Sequence, residues 1–205
     1  MSAVRVKICG LTRLEDALLA ARLGADALGF NFWPRSRRYL TPEAARAIVD
    51  RLPPFVTKVG VFVDQRPDEV LEAAARSGVE VLQLHGDESP EEVEGYPRPT
   101  VKALRLEGPA DLHLLDRYRV RAFLLDAPSA GFGGSGATCD WALARAAAER
   151  ARVILAGGLT PDNLAEAIRA VRPYGVDVAS GVESSPGVKD PEKLRRFVLA
   201  AKETL

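Results

Sequence analysis

Val4-Arg5-Val6-Lys7-Ile8-Cys9-Gly10-Leu11-Thr12-Arg13 reads as a strand that turns into a helix. Its first five residues are rich in β-branched side chains, which fit a pleated, half-buried surface. Gly10 interrupts the run. Thr12 followed by Glu15 has the spacing of a capping box, which predicts a helix start at this point. Cys9 therefore falls where a strand gives way to a loop. In a parallel barrel that edge is where chemistry is done. A thiol there acts as base or nucleophile once a nearby cation or helix N-terminus favours its thiolate. The competing reading is a small buried cysteine that only packs.

The same strand-then-helix pattern recurs along the chain. Apolar runs occupy Val4–Ile8, Ala27–Phe32, Val56–Val63, Val79–Leu84, Thr100–Leu104, Ala122–Leu125, Arg152–Ala156 and Gly175–Ala179. Amphipathic stretches separate them, at Leu14–Leu23, Pro42–Arg51, Asp68–Ser77, Asp140–Glu149 and Pro161–Val171, and Pro191–Lys202 closes the chain. Only short helical patterns, Glu91–Gly95 and Pro109–Arg117, mark the fourth and fifth units. Alternation of this kind implies a parallel sheet. Eight units at about 25 residues each predict a single-domain α/β protein, a closed (β/α)8 barrel spanning 1–205, small against the usual ~250 residues. An open doubly wound sheet is the structural rival. Its dinucleotide fingerprint is missing from Cys9-Gly10-Leu11-Thr12, the first loop.

Composition narrows the function classes. Lys and Arg total 28, as do Asp and Glu, so the net charge is zero. That argues against a nucleic-acid partner held by a broad electrostatic field. Cys9 and Cys139 match no metal-ligand spacing and no disulfide framework. The sequence has no 18-residue apolar run and no leader-like apolar stretch at its start, so a cytoplasmic protein without membrane contact is expected. The chain has 22 Arg against 6 Lys, two Asn, two Gln and one Met. That bias is consistent with a heat-adapted protein, and a GC-rich genome would also favour arginine.

Polar residues collect at the C-terminal ends of the expected strands. Strand one delivers Cys9, strand four Gln83 and His85, strand six Asp126, and strand eight Asp177, Ser180 and Gly181. Gly157-Gly158 follows strand seven. Glycines let a backbone approach an oxyanion closely, and the N–H groups at helix starts bind anions. Loops after strands seven and eight of a barrel commonly form a phosphate site, which makes Gly157, Gly158, Ser180 and Gly181 phosphate-binding candidates. Arg35, Arg37 and Arg38, between Trp33 and Tyr39, suit a planar carboxylate, since arginine pairs with one bidentately. A solvated basic patch is the alternative. His85 and Asp177 equally fit structural roles, and Cys139 is read as structural. Asp126 closes the apolar run Phe123-Leu124-Leu125. A carboxyl in that setting is suited to donate a proton near neutrality. The glycine-rich stretch Gly131–Gly136 after it is expected to cover a ligand. With Cys9 taking a proton and Asp126 giving one, the pattern fits isomerisation of a small phosphorylated molecule without metal or redox cofactor.

In this order the motifs closely resemble those of the phosphoribosylanthranilate isomerases. They are Lys7-Ile8-Cys9-Gly10-Leu11-Thr12, Gly24-Ala25-Asp26-Ala27-Leu28-Gly29-Phe30, Ser36-Arg37-Arg38-Tyr39, Val59-Gly60-Val61-Phe62-Val63, Leu82-Gln83-Leu84-His85-Gly86, Leu124-Leu125-Asp126, Gly133-Gly134-Ser135-Gly136, Gly157-Gly158-Leu159 and Asp177-Val178-Ala179-Ser180-Gly181-Val182-Glu183. The resemblance implies an Amadori rearrangement of N-(5'-phosphoribosyl)anthranilate in tryptophan biosynthesis. It makes Cys9 the general base and Asp126 the general acid. Arg38 would contact the anthranilate carboxylate, with His85 as a second substrate-binding candidate. Gly134, Gly158 and Ser180-Gly181 would hold the phosphate. Roles for Arg35, Arg37, His85 and Asp177 stay open. So do three other readings: a related histidine-pathway aminoaldose isomerase, a bifunctional enzyme, and a phosphate-ligand binding barrel without catalysis. A homodimer is expected over a monomer.

Overall fold

Strands β1 (Arg5–Ile8), β2 (Ala27–Asn31), β3 (Thr57–Phe62), β4 (Val81–Leu84), β5 (Thr100–Leu104), β6 (Ala122–Leu125), β7 (Val153–Leu155) and β8 (Gly175–Val178) close into one parallel barrel in chain order. This computed structural model describes residues 4–126 and 140–204. The seam forms where β8 pairs with β1, with Lys7 opposite Asp177 and Ile8 opposite Val178. The expected (β/α)8 barrel is the observed one. Its strands start and stop within two residues of the apolar runs.

Both faces of these strands are buried, which is why they read as nearly continuous apolar runs. Side chains such as Val6, Ile8, Leu28, Phe30, Leu82 and Leu155 belong to the main core, along with the inner faces of the helices. A second, smaller cluster of Val101, Ala103, Ala122, Leu124 and Ala156 joins Val81 and Ile154. Its members alternate with the outward set along β5 and β6, the period of a strand, and fill the barrel's interior.

The helices are α1 (Leu14–Leu23), α2 (Pro42–Val49), α3 (Pro67–Ser77), α4 (Pro90–Glu94), α5 (Leu114–Arg117), α6 (Trp141–Ala148), α7 (Leu164–Val171) and α8 (Pro191–Glu203). Proline opens four of them, where its missing N–H is not needed. Side chains of Thr41, Ser89, Asp140 and Asp190 cap four starts. The fourth and fifth units are the short ones, as their weak patterns implied. α4 has five residues, and a 3-10 turn, Pro109–His113, leads into the four of α5.

Two findings depart from the sequence reading. Helix α1 does begin at Leu14, but no capping box forms. Its N-cap is Arg13, whose side chain makes no cap bond, and Glu15 accepts from Arg13 Nε at 2.7 Å. Thr12 Oγ1 instead donates to Gly187 O at 2.6 Å. Gly187 belongs to the second departure, a hairpin of β9 (Glu183–Ser185) and β10 (Val188–Lys189) inserted between β8 and α8. A carbonyl brought in by that hairpin wins the hydroxyl from the local cap.

Candidate active site

The C-terminal ends of the strands surround one cavity. Cys9, Arg38, His85, Asp126, Gly157, Gly158, Ser180 and Gly181 all line it, so eight of the nine candidates share one site. The ninth, Gly134, lies outside the described residues, as do Cys139 and the Gly131–Gly136 stretch. Trp33 and Ser36 also line the cavity, whereas Arg35 and Arg37 are exposed and are not among its lining residues. Of the arginine cluster, the site takes only Arg38.

Cys9 follows β1 and is partly exposed. Lys7, two residues earlier, points to the same side of the strand. Its Nζ lies 2.9 Å from Asp177 Oδ1, and both side chains are buried. Gly29 on β2 makes room for them. A Cβ at Gly29 would stand 2.9 Å from Cys9 Sγ and 3.2 Å from Lys7 Nζ, so the thiol and the ammonium are neighbours. Burial works to strip the Lys7 proton, but Asp177 and the Cys9 thiol outweigh it and hold Lys7 above the ordinary lysine range. Burial likewise pushes the Cys9 thiol up. Lys7 pulls it back in part, and the negative charge of Asp177 adds to the rise.

Asp126 follows β6, its N–H bonded to Leu104 O at 3.2 Å. His85 Nε2 lies 3.3 Å from Asp126 Oδ2. On the other side of the ring, Gln83 Nε2 is 2.9 Å from His85 Nδ1. With the amide nitrogen placed there, Nδ1 accepts and the ring proton sits on Nε2, which lies near Asp126 but makes no hydrogen bond among the described residues.

Arg38 meets Glu183 in a two-pronged contact, Nε to Oε1 at 2.8 Å and Nη2 to Oε2 at 2.6 Å. Gly10 lies under the arginine stem. Its φ is +71°, and a Cβ would overlap Arg38 Cδ, so glycine is required twice over. Lys189, fully buried, donates to Glu183 Oε1 at 2.9 Å, Cys9 O at 2.6 Å and Ala179 O at 3.1 Å. Burial raises the Glu183 carboxyl, but Arg38 and Lys189 together bring it below the usual range. Burial drops Lys189 below the ordinary lysine range, although Glu183 opposes that.

Two glycine loops form the adjoining wall. Gly157 and Gly158 have φ of +76° and +65°. Asn163 holds their loop by donating from Nδ2 to Gly158 O at 3.0 Å while its Oδ1 accepts from Thr160 N at 2.8 Å. Gly181, in the 3-10 turn Ser180–Val182, packs so closely that a Cβ would overlap Leu159 O. The two loops touch through backbone, the approach an anion seat needs.

Sequence reasoning gave no role to Lys7, Glu183 or Lys189. For Lys7 the signal was present: a charged residue at an inward register position of a buried strand, two residues before a candidate base. Asp177 sits in the same position on β8. Lys189 had no such signal, because only the folded hairpin brings it to Cys9. Among the described residues no three His, Cys, Asp or Glu side chains gather as a metal site, and no helix is long and apolar enough to cross a membrane.

A closed parallel barrel with a thiol, a carboxyl, a carboxylate-matching arginine and paired glycine loops at its C-terminal mouth belongs to the (β/α)8-barrel enzymes. The family model for N-(5'-phosphoribosyl)anthranilate (PRA) isomerase matches residues 6–200. The N-(5'-phosphoribosyl)anthranilate isomerase of Pelobacter propionicus is 52% identical over 203 residues, covering 98% of this chain and 97% of that one. A solved phosphoribosyl anthranilate isomerase from Thermus thermophilus superposes with a TM-score of 0.89 at 53% identity, covering 96% and 98% of the two chains. Another solved member, in complex with reduced 1-(o-carboxyphenylamino)-1-deoxyribulose 5-phosphate, gives 0.87 at 42% identity, covering 97% and 98%. The chain belongs to the N-(5'-phosphoribosyl)anthranilate isomerase family and is an isomerase of tryptophan biosynthesis.

Proposed function

We propose that residues 1–205 act as one catalytic domain, with Cys9 as general base and Asp126 as general acid in the Amadori rearrangement of N-(5'-phosphoribosyl)anthranilate. One observation carries this reading. The thiol from β1 and the carboxyl from β6 line one cavity, together with Arg38 and both glycine loops.

Asp126 protonates the ribose ring oxygen, and the C1'–O bond breaks to give a protonated Schiff base. Cys9, as thiolate, removes the proton from C2', leaving an enolamine. Protonation at C1' and loss of the hydroxyl proton at C2' then give the aminoketone, 1-(2-carboxyphenylamino)-1-deoxyribulose 5-phosphate. Each proton-transfer group contributes roughly 10²–10⁴-fold. Lys7 supplies the positive charge beside the thiolate, and His85 lies beside the carboxyl, 3.3 Å away. Arg38 takes the anthranilate carboxylate, and the backbone around Gly157, Gly158, Ser180 and Gly181 takes the phosphate. Freshly made phosphoribosylanthranilate tests this directly, because its fluorescence falls as it is consumed. A folded protein that leaves the fluorescence unchanged, or that turns over only the histidine-pathway aminoaldose, contradicts the reading.

A homodimer through the opposite face of the barrel also has support. Phe55, between α2 and β3, is 100% exposed and borders a depression at the N-terminal strand ends with Tyr174, Val59, Val81, Ile154 and Val176. A two-fold axis there would seat each Phe55 in the depression of the other copy.

A further inference from the structure

Arg38 uses only one side of its guanidinium on Glu183. The contact takes Nε–H and one N–H of Nη2. A guanidinium carries five N–H donors in a fixed plane. The end-on pair, one N–H on each Nη, is therefore left for a second carboxylate. Glu183 is itself held from two further directions, by Lys189 Nζ at 2.9 Å and by Gly187 N at 3.3 Å, both onto Oε1.

The hairpin that carries these groups is fixed at its base. Lys189 N donates to buried Asp16 Oδ2 at 3.0 Å, and Lys189 Nζ reaches the carbonyls of Cys9 and Ala179 at the ends of β1 and β8. The path from the arginine to the base strand is thus continuous: Arg38, Glu183, Lys189, Cys9 carbonyl. Two cations share the one Glu183 carboxylate, so the clamp retains positive charge for an incoming anion. An arginine locked by packing and by outer hydrogen bonds loses little side-chain freedom when ligand binds.

We propose that Glu183 is the positioning residue that presets Arg38 for the substrate's aryl carboxylate, and that it sets the preference for acidic over neutral aryl groups. The inference rests on Arg38 being the carboxylate contact. Glu183 touches no reacting atom in this account. It acts through Arg38, so its removal loosens binding of the carboxylate more than it slows proton transfer.

The test measures KM and kcat for phosphoribosylanthranilate and for its carboxamide counterpart. The proteins are wild type, Glu183→Gln, Arg38→Ala and the double variant. Glu183→Gln should raise KM for the carboxylate substrate about tenfold, the scale of one charge-assisted contact, with kcat changed by less than about threefold. KM for the carboxamide should hardly move. On the Arg38→Ala background, Glu183→Gln should add nothing. An unfolded fraction lowers kcat but leaves KM alone, and Glu183→Asp serves as the second variant if Glu183→Gln yields no folded protein. If Arg38→Ala raises KM while the Glu183 variants do not, or if the two effects multiply in full, the positioning role is overturned. If Arg38→Ala itself leaves KM unchanged, the carboxylate reading of Arg38 fails first, and the proposal falls with it.

Discussion

Lys7 Nζ and Asp177 Oδ1 lie 2.9 Å apart across the β1–β8 seam of the barrel, at residues paired in register and buried beside Cys9. An ion pair out of water is costly unless each charge is matched. Here the ammonium also faces the thiol, so the seam that closes the barrel sets the charge around Cys9.

This arrangement fixes the sign of two substitutions. The ammonium favours the thiolate and the carboxylate opposes it. Lys7→Met removes the first and leaves Asp177 unpaired, so the Cys9 thiol rises further. Asp177→Asn removes the second, so the thiol falls. Iodoacetamide labelling of Cys9 across a pH series, read by peptide mass, should move to higher pH in Lys7→Met and to lower pH in Asp177→Asn. Both variants should also melt lower, because breaking a buried pair costs about 3–5 kcal/mol. Labelling curves that shift together, or not at all, would separate Cys9 from the pair.

The wild-type protein carries the same signature. Burial lifts the Cys9 thiol above its ordinary value, so the deprotonated form gains ground only as the solution becomes alkaline. Iodoacetamide labelling of wild-type Cys9 should still be rising at pH 9, past the midpoint of an exposed thiol of pKa ~8.5. A plateau reached below pH 7 would mean that the thiolate is favoured more strongly than this geometry provides.

Gly181 tests the anion seat. A methyl group there would overlap Leu159 O, forcing apart the loops that follow β7 and β8. Gly181→Ala should raise KM for the phosphorylated substrate about tenfold or more and weaken competitive inhibition by inorganic phosphate. Phosphate inhibition that persists unchanged would place the anion elsewhere.

Phe55 tests the pairing face. Phe55→Asp should halve the mass seen by light scattering and leave kcat/KM near wild type, because the residue lies at the other end of the barrel from the cavity. A wild-type protein that already scatters as a monomer at micromolar concentration would remove the dimer.

The barrel was legible because a strand buried on both faces needs an apolar side chain at nearly every position. Such runs mark their own ends, and Cys9, Asp126 and Gly157 fall just beyond three of them. The hairpin was not legible. Strands of three and two residues, Glu183–Ser185 and Val188–Lys189, are too short for alternation to register. The Arg38–Glu183 contact joins residues 145 apart, and Lys189 reaches a carbonyl 180 positions away. Barrel closure makes those contacts, and no local pattern encodes them. Thr12 shows the same limit on a smaller scale, since its capping spacing was real but its hydroxyl found a partner in the hairpin.

The most direct test of the acid–base assignment is single-turnover conversion of phosphoribosylanthranilate by Cys9→Ala and Asp126→Asn, each checked for a wild-type fold by circular dichroism. Each variant should lose about 10²–10⁴-fold in the rate of conversion while still binding the substrate. Conversion within a few-fold of wild type by either folded variant would contradict the pairing of this thiol and this carboxyl as base and acid.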